Sequence, residues 1–292
     1  RDLHSFPTRR SSDLGSIPEE TVRILSEVGA WTSQNREGLF GTRGSPAPHD
    51  FPWGALTSRD THLYCFPDDN QKEKLTINGL KTTVRQVTAL DSGRKVPFSQ
   101  TPLLDSTSLT LDLVPTQAYR PAYRIDLDDL PLFSQHILMQ DGNNLALYPH
   151  LATATLAGKP FQIPLHGLGD RYKKVTSVAI SSAGTLVGWS DPELVLCWDA
   201  WATVQGTYKV LLQMPVQYNQ APIRREHQLL LSIEQDHGSK QVAWPFVLDN
   251  GLAEADETVA LQPGHCRLTL RVTVLETDRA MALQCLMLQP QS

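Results

Sequence analysis

The sequence predicts a mainly β protein, in which two antiparallel β-sandwich domains follow a single helix. Three observations carry this. From about Arg59 onward apolar residues recur with a period of two, in short runs. Clusters of turn formers, such as Asp68-Asp69-Asn70, Asn78-Gly79 and Asp91-Ser92-Gly93, separate the runs, with no helical stretch between them. Ahead of that point one segment alone has the spacing of an amphipathic helix.

The helix is expected over residues 17–32. Ser16-Ile17-Pro18-Glu19 has the Ser-x-x-Glu form of a capping box, with Pro18 in the first turn, where a missing N–H costs nothing. Val22, Leu25, Val28 and Trp31 then share one face. Residues 35–44 break the pattern, and Ser45-Pro46-Ala47-Pro48 reads as a stiff linker.

The first sandwich is expected over residues 50–131. Its strand candidates are residues 62–66, 75–77, 84–90, 109–113 and 123–127. The second is expected over 140–292, opening after Asp141-Gly142. Cys266, Leu268, Leu270, Val272 and Val274 alternate with Arg267, Thr269, Arg271 and Thr273, which describes a sheet with one wet face. Residues 189–201 and 208–214 read as two strands joined by a tight turn at Gln205-Gly206, and residues 282–288 as a closing strand.

Composition bounds the function. The 292 residues are 40% hydrophobic and 20% charged, with 20 Pro and 18 Gly, which suits a turn-rich globular chain. A net charge of −5 with no block of like charge argues against a nucleic-acid partner. No apolar run approaches the roughly 18 residues that a helical membrane span needs. The cysteines, Cys65, Cys197, Cys266 and Cys285, form no Cys-x-x-Cys pair and sit in strand-like contexts, so they read as buried free thiols. Their spacing leaves a Cys266–Cys285 disulfide open, and the redox compartment with it. Residues 1–14, RDLHSFPTRRSSDL, back-translate to a common short-read sequencing adapter and lack the apolar core of a secretory signal. They are expected to be a non-native tail, with the native sequence starting near Gly15.

Residues 15–44, GSIPEETVRILSEVGAWTSQNREGLFGTRG, carry a resemblance. Gly15, Ile17, Pro18, Glu19, Glu20, Gly29, Trp31, Asn35, Glu37, Gly41, Thr42 and Arg43 match the end of the catalytic domain in the α-L-fucosidases of glycoside hydrolase family 29. That domain typically ends in a stretch like DG-T-IPEE, a helix closing on G-x-W, then NGEAIYGTRPW. Arg36 departs from the usual Gly, Leu39-Phe40 from Ile-Tyr, and Gly44-Ser45 from Pro-Trp. The stretch after Ser58, with HLYCF, LTINGL and VRQVTAL, is similar to the start of the family's C-terminal β-sandwich. From Asp141 onward, the DGNNLALYPHLATATLAG opening and the GWSDPELVLCW segment are similar, more loosely, to an accessory sandwich of some bacterial members.

The resemblance implies that residues 15–45 are the last helix of a truncated (β/α) barrel and that the chain is the C-terminal fragment of a retaining exo-glycosidase. Retention needs two carboxyl groups about 5–5.5 Å apart. In the family both lie upstream of this helix, so no catalytic residue is assigned here and the fragment is expected to be inactive alone. Fucosylated glycans would be bound through the missing barrel, and the family implies a secreted or periplasmic protein.

Other candidates are weighed against plainer roles. Glu19 and Glu20 suit a helix first turn. Asp126, Asp128 and Asp129 read as the solvated face of an edge strand. The histidines show no metal-ligand spacing, His265 and Cys266 point to opposite faces of a strand, and nothing calls for a cofactor. Trp189, Asp191 and Trp198, with Glu193 and Trp201 nearby, could build a carbohydrate-binding platform; core packing is the stronger reading for Trp198.

Overall fold

The computed structural model describes residues 17–115, 120–165, 178–182, 184–214, 227–246, 252–274 and 281–291. Helix α1 (Glu19–Gln34) has Pro18 as its N-cap, in extended conformation, and no side-chain cap comes from the described residues. It therefore starts two residues later than the spacing predicts, and Ser16 of the expected capping box lies outside the described residues. Glu19 and Glu20 occupy the first turn, where negative charge suits the helix dipole. The apolar face is bare: Val22, Leu25 and Val28 are 48%, 58% and 54% exposed. The C-terminal end is anchored, as the Trp31 indole N–H donates to the Arg120 carbonyl at 2.8 Å and the ring packs near Phe66. A single turn, α2 (Arg36–Leu39), follows. A Cβ on its Gly38 would come within 2.9 Å of the Phe66 ring, so this turn sits directly on the sheet below.

The protein is mainly β, as the alternation predicts, and the pairings among its described strands are antiparallel apart from that of β8 (Ile137–Leu138) with β14 (Leu194–Ala202). The first sandwich comprises β1 (Gly54–Arg59), β2 (His62–Pro67), β3 (Lys74–Leu80), β4 (Val84–Ala89), β5 (Phe98–Leu103), β6 (Ser106–Asp112) and β7 (Tyr123–Leu127). One sheet runs in the order β1-β2-β7-β4, the other β3-β6-β5. Leu63, Leu75, Ile77, Val87, Leu109, Leu111 and Ile125 fill the space between them. Strands β1 and β5 escape the sequence reading because they are polar. The β5 segment, Phe-Ser-Gln-Thr-Pro-Leu, buries none of its residues fully, and it lies at a sheet edge. The expected edge strand carrying Asp126 is corrected: β7 lies inside its sheet, between β2 and β4. Its charge is tolerated because Arg124 holds Asp126 at 2.8 Å and Glu37 at 3.3 Å, and Arg85 pairs with Asp128.

The second sandwich comprises β8 (Ile137–Leu138), β9 (Leu145–Leu147), β10 (Thr153–Leu156), β11 (Lys159–Phe161), β12 (Ala179–Ile180), β13 (Leu186–Trp189), β14 (Leu194–Ala202), β15 (Gly206–Gln213), β16 (His227–Gln235), β17 (Gly238–Phe246), β18 (Leu252–Leu261), β19 (Gly264–Val274), β20 (Met281–Leu283) and β21 (Cys285–Pro290). One sheet runs β11-β10-β14-β19-β16-β17, with β8 added parallel to β14. A second runs β18-β15-β21-β9, and β12-β13-β20 forms a small third. Leu196, Trp198, Leu231, Leu268 and Leu270 from the first meet Tyr208, Val210, Leu212, Leu286 and Leu288 from the second in one core. The expected pairing across Gln205-Gly206 is corrected. β14 pairs with β10 and β19, whereas β15 pairs with β18 and β21, so this turn carries the chain from one sheet to the other. Residues 189–201 are also two strands rather than one, interrupted where Leu194 N–H bonds the Asp191 carbonyl.

The two cores meet along β3. One edge of β3 pairs with β6, and residues 133–141 cover the other. Near Leu80 the cover is backbone, as Ser134 N–H donates to the Gly79 carbonyl at 2.7 Å. Further along, side chains replace the missing strand. Asn78 N–H donates to Gln140 Oε1 at 3.0 Å, and Thr76 N–H donates to Asp141 Oδ1 at 2.9 Å. Asp141 also pairs with Lys72 at 2.5 Å. An edge strand left bare would offer its N–H groups to another chain, and these side chains close it.

Candidate functional site

The structure gives the three residues proposed for sugar contact other tasks, two in the core and one in a turn. Trp189 and Trp198 are 0% and 1% exposed, so neither ring offers a face to solvent. Each indole N–H is satisfied internally: Trp189 donates to the Asp191 carbonyl at 3.1 Å, and Trp198 to the Tyr148 carbonyl at 2.8 Å. A large aromatic side chain with a bonded N–H is stable in a core, and that is the role both residues take. Asp191 is exposed, but its carboxylate accepts the Glu193 N–H at 2.9 Å and shapes the turn into β14. The platform built on Trp189 and Trp198 is therefore replaced by core packing.

Trp201 is placed differently. It lies three positions beyond Trp198 on one strand, so it projects to the opposite, outer face. There it stands in a row of three rings across three neighbouring segments. The His136 ring lies 4.5 Å from it and the His265 ring 4.8 Å, both tilted. β19 sets His265 directly opposite Trp201, and the parallel pairing of β8 with β14 brings His136 alongside. One step along the same face, Asp199 carries the charge of the group. Its Oδ1 lies 3.0 Å from His265 Nε2 and 3.5 Å from Arg267 Nε. Asp199 and Arg267 are exposed and His265 is half-buried, so the group is open to solvent. The group pairs flat ring surface with a carboxylate and a guanidinium, which can hold hydroxyl groups but carries no activated nucleophile.

A cleft of about 530 Å³ opens beside the β10–β11 hairpin, where His150, Thr153, Phe161 and Gln162 contribute to its walls. Among the described residues no group of three or more His, Cys, Asp or Glu side chains is placed to hold a metal ion, and no helix is long and apolar enough to cross a membrane. The four cysteines are free thiols, which leaves the Cys266–Cys285 disulfide unformed here. The Trp201 row went unrecognised in the sequence because its histidines come from residues 136 and 265, far from Trp201 along the chain. The parity of Trp198 and Trp201 in one strand was the available signal.

No family model and no curated protein matches the chain. Solved structures do. An α-L-fucosidase from Vibrio sp. strain EJY3 is similar over 95% of this chain, with a TM-score of 0.62 and 18% identity. The aligned part is 46% of the Vibrio chain, so this protein spans less than half the length of that enzyme. The α-L-fucosidase isoenzyme 1 from Paenibacillus thiaminolyticus aligns over 39% of this chain and 28% of its own, with 24% identity and a TM-score of 0.34. The Vibrio likeness establishes a shared fold.

Proposed function

We propose that this chain is the non-catalytic C-terminal arm of a retaining α-L-fucosidase, with the carboxyl pair supplied by sequence upstream of Gly15. The observation that carries this reading is the fold shared with the Vibrio fucosidase over 95% of the chain. The residues of the 15–44 segment that resemble the end of a family 29 catalytic domain support it independently. So does the bare apolar face of α1, which suits a helix that packs against a further domain. On this reading residues 15–45 close the barrel, residues 50–131 and 140–292 form two sandwich domains, and the two sandwiches brace the catalytic unit.

The test is to sequence the source DNA upstream of the Gly15 codon, express the extended product and assay it on an aryl α-L-fucoside. An in-frame barrel with turnover, beside an inactive short chain, is the expected result. An unrelated upstream domain, or turnover by the short chain alone, overturns the reading.

The Trp201 row favours a second reading, in which the second sandwich binds glycans. Titration calorimetry with fucosylated oligosaccharides separates the two. Saturable heat that is lost in Trp201→Ala supports binding, and no heat with the unaltered chain rules it out.

A further inference from the structure

At the joint between the sandwiches, the hydrogen bonds around His49 favour one protonation state of its imidazole. His49 lies just ahead of β1, is 4% exposed, and packs edge-on against Phe51 with ring centroids 5.1 Å apart. Its Nε2 lies 3.0 Å from Nε2 of Gln140. The orientation of that amide is set by its other bonds. Gln140 Oε1 accepts the Asn78 N–H at 3.0 Å, and Gln140 Nε2 also lies within 3.4 Å of the Asn78 and Leu138 carbonyls. The amide NH₂ therefore faces the imidazole, and His49 Nε2 must present a lone pair. The ring proton sits on Nδ1, which is buried and has no partner among the described residues. Protonation would set an N–H on Nε2 against the N–H of the amide, donor against donor.

We propose that His49 makes this joint acid-sensitive: when the imidazole takes a proton, Gln140 is driven off it, and the side-chain cover on the β3 edge opens. The energetic direction agrees with the geometry, since burial pushes the His49 imidazole down to about 4. Among the described residues, the ionisable groups around the joint are Asp50, exposed and next in sequence, Asp141 in its pair with Lys72, and Tyr148 and Cys285, on which Asp50 acts. None of them moves His49, for which burial is the one cause. An opened joint returns His49 to its ordinary value of about 6.5. The depressed histidine thus stabilises the closed joint fully above about pH 6.5, and that stabilisation is lost as the pH falls toward 4. Between pH 7 and 4.5 the opening equilibrium should rise roughly 50-fold.

Hydrogen exchange read by mass spectrometry on the full chain tests this at the Asn78 amide, whose acceptor is Gln140 Oε1. After correction for intrinsic exchange, its protection should fall by roughly 50-fold between pH 7 and 4.5. Amides of Leu109 and Leu111, inside the sheet, should hold theirs. His49→Gln should abolish the pH dependence. Gln140→Glu supplies a carboxylate that can accept from a protonated imidazole, so protection should persist in acid. Equal protection of Asn78 at both pH values overturns the proposal, as does an unchanged fall in His49→Gln. Should His49→Gln fail to fold, Gln140→Glu decides, and there a fall like that of the unaltered protein overturns it.

Discussion

Trp198 and Trp201 share a residue type and a strand, yet one is core and the other is surface. Three positions along a strand is an odd step, and an odd step reverses the face. The sequence displayed this parity, so the burial of Trp198 followed from the alternation of Leu194, Leu196, Trp198 and Ala200. The partners of Trp201 did not follow, because His136 and His265 reach it only through strand pairing. The difference has a measurable consequence. Trp198→Ala removes a fully buried ring and should cost about 3–5 kcal/mol of stability. Trp201→Ala, on the wet face, should cost about 1 kcal/mol or less. Denaturant melts of the two variants check this, and equal losses would contradict the assigned faces.

At the level of elements, α1 and β3 show two ways of leaving a surface unpaired. The apolar stripe of α1 was legible from its spacing, and the structure leaves it bare. Changing Val22, Leu25 and Val28 together to Glu should leave the melting temperature within a few degrees, since none is buried, and should reduce self-association. Analytical ultracentrifugation of both proteins reads the second effect. An unaltered chain that stays monomeric at high concentration would show that the stripe is harmless by itself. The edge of β3 is the opposite case. Its N–H groups are closed by Gln140 and Asp141, more than 60 residues away. No periodicity could show that, because the partners are side chains rather than a strand.

Across the whole molecule, the described residues build two large hydrophobic cores, and the joint between them carries the polar contacts of Asn78, Gln140 and Asp141. The mainly β class and the antiparallel habit were legible because alternation is local. Sheet order was not, as the crossing at Gln205-Gly206 shows: a tight turn looks alike whether it joins strands within a sheet or between sheets. A polar joint couples two cores weakly, so calorimetry should resolve two unfolding transitions. Trp198→Ala should lower one of them, and Leu109→Ala the other by a similar 2–5 kcal/mol. A single transition shifted alike by both changes would mean that the joint locks the cores into one cooperative unit.

The unpaired thiols give the chain a built-in handle for chemistry. Cys65, Cys266 and Cys285 are buried, and burial pushes their thiols up to about 12, 11 and 12, so at neutral pH they hold almost no thiolate. Cys197 stands apart on the outer face of β14, partly open and two residues before Asp199. A maleimide dye should therefore attach at one position without any engineered cysteine. It would sit beside the Trp201 row, where its emission would report whatever settles there.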